Sequence, residues 1–149
     1  MSDVEAARRL VERVTSAPGY TREVGTRVLS ARPGEVELAL DRKASLLQAQ
    51  GLFHGGVLAA LADHAAGGAV TTALPPGRFA VTVNLQVNFL APASGDVVVA
   101  RARAVHVGGT IGVAQVEVST VTNGAETRCA IVTATLRAVD MPPGLKADD

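Results

Sequence analysis

The residues most able to do chemistry lie together between Gln48 and Gly68, in the sequence QAQGLFHGGVLAALADHAAGG. His54, Gly55 and Gly56 stand where a predicted helix begins, and the first N–H groups of a helix have no partner within it. Glycine at both positions lets a ligand come close to those N–H groups, as a site for a carbonyl oxygen or an oxyanion requires. The alternative is that the two glycines only form a tight turn.

Asp63 is a carboxylate in a helical segment that otherwise consists mainly of Ala, Leu and Gly. It lies seven residues after Gly56, about two helical turns, and therefore shares a face with that glycine. A carboxylate in such apolar surroundings is paired, lies at a subunit boundary, or serves a function. We expect a catalytic role for Asp63, with a surface Asp or the partner of an Arg as the alternative.

The remaining titratable residues of this region predict structure rather than chemistry. His64 is turned about 100° away from Asp63 on the helix, and we expect it to be a packed or hydrogen-bonded histidine. His54, Asp63 and His64 lack the i, i+4 spacing of two metal ligands on one helix face, so the sequence predicts no metal site. Cys129, the single cysteine, is expected to be a small core residue.

The run 81–89 alternates between an apolar and an uncharged polar set of side chains. The apolar set is Val81, Val83, Leu85, Val87 and Phe89, and the polar set is Thr82, Asn84, Gln86 and Asn88. A solvated strand face normally carries Lys or Glu, whereas uncharged hydrogen-bonding groups suit a subunit interface or a cleft. A solvated edge strand that lacks charge is the alternative.

The elements that must position these residues can be read from periodicity and turn signals. The pattern predicts a surface helix over 3–17, whose apolar stripe is Ala6, Ala7, Leu10 and Val14, and a buried helix over 57–73. It also predicts six strands, over 23–31, 35–41, 79–91, 96–107, 110–122 and 126–139. Gly108-Gly109 and Asn123-Gly124 are hairpin signals, so the last three strands form an antiparallel meander. We therefore predict an α+β domain in which a single antiparallel sheet of about six strands wraps around a long central helix.

Composition excludes several classes of protein. The chain has 149 residues, 14 basic and 14 acidic side chains, and 3% aromatic residues. A balanced charge argues against a nucleic-acid partner and leaves little to repel a second copy of the same surface. One cysteine rules out an internal disulfide, and with no secretory signal or membrane-spanning run visible we expect a cytoplasmic protein that is not bound to a membrane. The expected divisions are an N-terminal helix over 1–18, one domain over 19–140, and a flexible tail over 141–149.

Two segments resemble the hotdog-fold acyl-CoA thioesterases, and among them the PaaI-like enzymes of the phenylacetic acid pathway type. They are residues 50–68, QGLFHGGVLAALADHAAGG, and residues 82–95, TVNLQVNFLAPASG. The resemblance extends over about 20–139 and implies the hotdog fold, with subunits that pair into a homodimer or homotetramer. It also implies an acyl-CoA substrate, no cofactor, and active sites that lie between two subunits.

The resemblance also implies roles for individual residues. The N–H of Gly55, with Gly56 beside it, polarises the thioester carbonyl, and Asp63 of the other subunit acts as nucleophile or as base for water. His54 orients the site or hydrogen-bonds the thioester, and Thr82 occupies a position that helps to place the water. Many members have Asn where this chain has Gln48, which keeps the amide group on a longer side chain.

The same resemblance bears on substrate binding. The turn Gly108-Gly109-Thr110 corresponds to a place where relatives meet CoA, but a basic residue often found there is absent. Phosphate contacts would then come from elsewhere, with Arg78 first among the candidates and Arg101 and Arg103 as others. Leu52 and Phe53, with Leu46 and Leu47, are expected to line the acyl pocket.

The leading hypothesis is hydrolysis of an acyl- or aryl-CoA thioester to the free acid and CoA. The alternative is a non-catalytic module on the same fold that binds acyl-CoA or an acyl carrier protein. A hydratase or dehydratase on this fold is a weaker alternative, because its site uses a different arrangement of His with Asp or Glu. Fold alone does not separate these functions.

Overall fold

Three α-helices and six β-strands make up residues 1–146, the part of the chain that the computed structural model describes. The helices are α1 (Asp3–Ser16), α2 (Tyr20–Glu23) and α3 (Gly55–Ala73), and the strands are β1 (Arg27–Arg32), β2 (Glu35–Asp41), β3 (Arg78–Phe89), β4 (Val97–Val107), β5 (Ile111–Thr122) and β6 (Ala125–Asp140). The strands form one sheet in the order β1-β2-β4-β5-β6-β3, and every neighbouring pair is antiparallel. The predicted six-stranded antiparallel sheet around a long helix is confirmed.

The meander β4-β5-β6 follows from its turns. Asn123 and Gly124 have φ of 50° and 80° between β5 and β6, as a two-residue hairpin turn requires. The sheet order confirms the predicted meander, and β3 then joins the far side of β6. This leaves β3, the strand with the uncharged polar set, at one edge of the sheet.

Small residues let α3 lie close to the sheet. The alternation of alanine with arginine over 100–104 predicts a small apolar face on β4. Ala100 and Ala102 are indeed 0% and 4% exposed, while Arg101 between them lies on the opposite face and pairs with Glu126. A Cβ placed on Gly112 of β5 would lie 2.6 Å from Cγ1 of Val70 on α3. The scarcity of aromatic residues therefore fits a core in which helix and sheet backbones approach closely.

The N-terminal region differs from its prediction in two ways. The buried stripe of α1 is Ala7, Val11 and Thr15, so the predicted stripe is displaced by one residue. Residues 20–23 form a helical turn that ends at Gly25, with φ of 82°, and the first strand begins only at Arg27 instead of 23. Gly25 interrupts the extended run that the sequence suggested, since it adopts a left-handed conformation that few other residues adopt without strain.

The strand β3 contains a β-bulge that changes which side chains share a face. Thr82 lies opposite Leu136 and Asn84 opposite Thr135, so Val83 is an extra residue in the ladder. Leu136 is buried on the helix side, and Thr82 therefore faces α3. The predicted alternation is wrong at this point, since it placed Thr82 on the same face as Asn84.

Residues 141–146 attach to the domain. The Met141 N–H donates to the Gly77 carbonyl at 2.9 Å, and a 3₁₀ turn over Pro143–Leu145 accepts a hydrogen bond from Arg13 Nε at 3.1 Å. Residues 141–146 of the predicted flexible tail thus contact the rest of the domain, and residues 147–149 lie outside the described residues. Within residues 1–146 no helix combines the length and apolar character needed to span a membrane.

Candidate active site

His54 caps the start of α3 with its own side chain. Its backbone has the extended conformation of a helix N-cap, φ −63° and ψ 135°, and its Nδ1 accepts the Gly56 N–H at 2.9 Å. Because Nδ1 accepts a hydrogen bond, the proton of the neutral ring is on Nε2. The arrangement leaves Nε2–H as a donor on an exposed side chain beside the helix start.

Gly55 supplies the N–H that the cap leaves free. Among residues 1–146 this N–H makes no hydrogen bond, whereas the Gly56 N–H is used by His54. A Cβ on Gly55 would lie 3.1 Å from Cζ of Phe89, so the aromatic ring lies against the helix start. Gly55, rather than Gly56, is the N–H available for a ligand.

Phe89 is a site residue that sequence reasoning missed. Its side chain is 57% exposed although it lies opposite the buried Ala130, on the helix side of the sheet. The alternation over 81–89 grouped Phe89 with the other apolar side chains of the strand and predicted no role for it in the site. Only 3% of the residues are aromatic, so an aromatic side chain at the end of the strand next to the site could have indicated a role for Phe89.

Asp63 and Thr82 form a second cluster on α3 and β3. Thr82 Oγ1 donates to Asp63 Oδ1 at 2.6 Å, the short distance typical of a hydroxyl bound to a carboxylate. The bulge in β3 makes this contact possible because it turns Thr82 towards the helix. The carboxylate is thus fixed through Oδ1, and its other oxygen is left without a partner among the described residues.

His64, next to Asp63, is a structural contact between two helices. Its Nε2 lies 2.8 Å from Oγ1 of Thr15, which is 4% exposed on α1. Burial lowers the pKa of His64 from its ordinary value, and the Asp63 carboxylate opposes part of that effect. Among residues 1–146 no group of three or more His, Cys, Asp or Glu side chains is placed to hold a metal ion.

The free N–H and the carboxylate are far apart in one chain. Eight residues separate Gly55 from Asp63, a distance of about 12 Å along the helix axis. The aspartate side chain tilts towards the helix start and shortens this by about 2 Å. A single chain therefore carries two half-sites that are about 10 Å apart.

The loop before α3 holds two of the predicted residues at the surface and one in the core. Gln48 is exposed in a turn that its N–H closes by donating to the Leu52 carbonyl at 2.8 Å, and Leu52 is half-buried. Phe53 is only 2% exposed and belongs to the main core cluster. The expectation that Phe53 lines an acyl pocket does not fit this burial, because its side chain has no free surface to offer.

Of the predicted CoA-contacting residues, Arg78 and the turn Gly108-Gly109-Thr110 lie together at the opposite end of α3, whereas Arg101 and Arg103 lie on β4. Arg78 donates to the Ala138 carbonyl at 3.1 Å and pairs with Asp140 at 2.6 Å. The Ala138 N–H donates to the carbonyl of Thr110, which places the turn Gly108-Gly109-Thr110 beside Arg78. Arg78 lies four residues along β3 from Thr82, about 13 Å, so it does not touch either half-site within one chain.

The fold and the site together define a class of protein. A sheet wraps around a central helix that has a free N–H at its start and an aspartate held by a threonine at its middle, and groups of these kinds can polarise a carbonyl and hold an attacking oxygen. The sequence pattern of the thioesterase superfamily matches residues 50–126. The chain therefore belongs to the thioesterase superfamily, and its activity is thioester hydrolysis.

Individual relatives agree with this assignment. A candidate esterase of Halobacterium salinarum is 36% identical over 129 residues, which cover 83% of this chain and 85% of that protein. The 1,4-dihydroxy-2-naphthoyl-CoA hydrolase of Listeria monocytogenes is 27% identical over 101 residues, 68% of this chain and 82% of that enzyme.

Solved structures confirm the hotdog fold and the resemblance to PaaI. A thioesterase family protein from Silicibacter pomeroyi superposes with a TM-score of 0.86 at 30% identity, covering 91% of this chain and 99% of that one. A mutant of the phenylacetic acid degradation protein PaaI from Thermus thermophilus superposes with a TM-score of 0.67 at 32% identity, covering 78% of this chain and 95% of that one.

Proposed function

We propose that the chain hydrolyses acyl- or aryl-CoA thioesters to the free acid and CoA, at a site made by two copies of the chain. The Gly55 N–H of one copy binds the thioester carbonyl oxygen, with His54 Nε2–H and the Gln48 amide beside it. Asp63 of the other copy acts on the carbonyl carbon, directly or through a water that it deprotonates. The C–S bond then breaks, CoA leaves as a thiolate, and water supplies the oxygen of the free acid.

The proposal rests on the positions of Gly55 and Asp63 on one helix, which by ideal helix geometry put the two half-sites about 10 Å apart. The carbonyl oxygen must lie about 3 Å from the N–H donor while the attacking oxygen lies about 3 Å from the carbonyl carbon. For direct attack, donor and carboxylate must then be within about 7 Å of each other, the sum of these two contacts and the C=O bond. A water between them extends this to about 10 Å only if all the contacts lie on one line, which the angle of attack at a carbonyl does not allow. The distance of about 10 Å within one helix is too long, and a second copy supplies the missing partner.

The edge strand β3 gives that second copy a place to bind. Among the described strands β3 pairs only with β6, and Val83, Phe89 and, directly after the strand, Leu90 are 58%, 57% and 54% exposed. An unpaired strand with apolar side chains favours pairing with another strand, and zero net charge does not oppose it. In the proposed dimer, the β3 strands of two copies pair across a two-fold axis that is perpendicular to the sheet. Both α3 helices then lie on the same face of the continuous sheet and run antiparallel, so that the start of each helix can lie beside the middle of the other.

The CoA assignment draws on the relatives and on the shape of the site. The Listeria monocytogenes relative is named as a CoA thioester hydrolase, and the match covers 68% of this chain. Arg78 and the turn Gly108-Gly109-Thr110 are proposed to meet the CoA moiety, and Leu52 to border its entrance. Arg78 is 35% exposed, so its guanidinium remains accessible although it pairs with Asp140.

The direct test replaces Asp63 by Asn, which preserves size and the acceptor for the Thr82 hydroxyl. Loss of the carboxylate is expected to lower kcat for phenylacetyl-CoA by at least about 100-fold, measured by thiol release, because a positioned base contributes about 10²–10⁴. Asp41→Asn, on an aspartate paired with Arg27 away from the site, is the matched control and keeps its activity.

Binding of a non-hydrolysable thioether analogue of phenylacetyl-CoA completes the experiment. Asp63→Asn is expected to bind it with a Kd close to that of the unaltered protein. Full turnover by Asp63→Asn would remove this residue from the mechanism. An unaltered protein that binds acyl-CoA without releasing thiol would instead be a binding module.

A further inference from the structure

A cavity of about 380 Å³ opens beside Asp63, between α1, α3 and β3. Its walls include Leu10 and Val14 from α1, Gly67 from α3, and Phe79 from β3. These are not the residues that the sequence suggested for an acyl pocket, since Phe53 is in the core. The cavity starts at the proposed catalytic carboxylate and extends along α3 towards its C-terminal half.

The chemistry of the walls favours an uncharged, mostly apolar occupant. Among the described residues no Lys or Arg lines the cavity, and the apolar side chains of its wall are Leu10, Val11, Val14, Phe79, Ala80 and Val81. Two of its hydroxyl groups already have partners in the fold: Thr71 Oγ1 accepts the Ala80 N–H at 3.0 Å, and Thr82 is bound to Asp63. His64 also lines the cavity, and its Nε2 is used by Thr15. Few hydrogen-bonding groups therefore remain available in this apolar space.

Gly67 keeps the cavity open. It lies one helical turn after Asp63, on the same face of α3, and a Cβ placed on it would have no atom within 4 Å. The neighbouring Gly68 differs, since its Cβ would lie 3.2 Å from Val36 and 3.6 Å from Val11. Gly68 is thus required for packing, whereas Gly67 faces empty space and its missing side chain adds volume next to the carboxylate.

The size of the cavity indicates the class of acyl group. A cavity of about 150 Å³ is enough to hold benzene. The space beside Asp63 is about two and a half times as large, so it holds a ring together with a linker, or two fused rings, with Asp63 at the mouth. A two-carbon acyl group would leave most of the apolar wall in contact with water.

We propose that Gly67, together with the α1 side chains Leu10 and Val14, determines how large an acyl group this cavity admits when it receives the acyl group of the thioester. The proposal rests on the proposed function, because it assumes that Asp63 meets the thioester carbonyl. It assigns the helix α1 a role in the site: Leu10 and Val14 form the wall opposite Gly67.

The test compares Gly67→Leu with Gly67→Ala in thiol-release assays on acetyl-CoA, phenylacetyl-CoA and 2-naphthoyl-CoA. Both replacements favour the helix, but only leucine fills the cavity. Gly67→Leu is expected to reduce kcat/KM at least about 30-fold for the two ring-bearing thioesters and less than about threefold for acetyl-CoA. Gly67→Ala is expected to remain within about fivefold of the unaltered protein for all three.

A second pair of variants tests the opposite wall. Val14→Phe fills the same cavity from α1, whereas Val4→Phe adds the same ring at a position that is 54% exposed and outside the cavity. The expected result is that Val14→Phe repeats the loss for ring-bearing thioesters and Val4→Phe does not. If Gly67→Leu fails to fold, as judged by thermal unfolding, this pair decides the question.

The outcomes separate the two proposals. The acyl-pocket assignment is overturned if Gly67→Leu and Val14→Phe lose the same factor of kcat/KM on all three thioesters, or lose none on the ring-bearing ones. Either result leaves the proposed function intact as long as the unaltered protein hydrolyses thioesters. Absence of turnover by the unaltered protein on every thioester would instead overturn the proposed function.

Discussion

The hydrogen bond between Thr82 and Asp63 gives the sharpest test of a single contact. Replacing Thr82 by Val keeps the shape of the side chain and removes only the hydroxyl, which donates to Asp63 Oδ1 at 2.6 Å. In the free protein Thr82 is exposed and Asp63 only partly buried, so we expect the free energy of unfolding to change by less than about 1 kcal/mol.

The expected effect on catalysis is larger than that on stability. Once substrate and a second copy exclude water from the site, a hydrogen bond to a charged group is worth about 1.5–3 kcal/mol. Its loss corresponds to a decrease of about 10- to 150-fold in kcat/KM for phenylacetyl-CoA. The carboxylate itself remains, so Thr82→Val is expected to be more active than Asp63→Asn.

The matched control is Thr82→Ser, which restores the donor on a smaller side chain. Thiol release is measured for both variants together with urea unfolding, so that a loss of activity is not mistaken for a loss of fold. We expect Thr82→Ser to stay within about fivefold of the unaltered protein. The reasoning is refuted if Thr82→Val keeps full activity, or if Thr82→Ser is as impaired as Thr82→Val.

Two further predictions concern stability. Gly112→Ala is expected to lower the free energy of unfolding in urea by about 1–3 kcal/mol, because its Cβ would lie 2.6 Å from Val70. The control is Gly109→Ala, whose Cβ would have no atom of the described residues within 4 Å. Equal stability of the two variants would contradict the close packing of α3 against the sheet. Burial holds the pKa of His64 below 6.5, so the unfolded chain binds a proton at higher pH than the folded one, and the free energy of unfolding falls as the pH decreases below 6.5. In urea titrations at about pH 7 and about pH 5, His64→Gln is expected to reduce this decrease, and an unchanged pH dependence would show that His64 does not cause it.

Local signals in the sequence were enough to predict most of the fold. Asn123-Gly124 predicts a hairpin because its backbone conformation depends on two adjacent residues only. The helix over 57–73 was predicted nearly to its ends, and α3 begins two residues earlier because His54 caps it with its side chain. The alanines of β4 were placed correctly on the helix side, since strict alternation is preserved there.

The parts that sequence reasoning missed depend on contacts between distant elements. The bulge at Val83 has no glycine to mark it, yet it moves Thr82 to the face of Asp63. Phe53 and Leu10 are both apolar, and only the tertiary structure shows that Phe53 is in the core while Leu10 lines a cavity. Periodicity reports that a residue is apolar, but not which apolar surface it meets.

The measurement that tests the central claim most directly uses heterodimers of two impaired chains. One chain carries Asp63→Asn and the other His54→Ala, each with its own affinity tag, and the mixed species is isolated by purification on both tags. Each homodimer is expected to be nearly inactive. A two-fold heterodimer contains one site with both an intact helix start and an intact carboxylate, so it should regain about half of the activity of the unaltered dimer. A heterodimer that is no more active than its parents would show that the helix start and the carboxylate act within one chain, and would contradict the account.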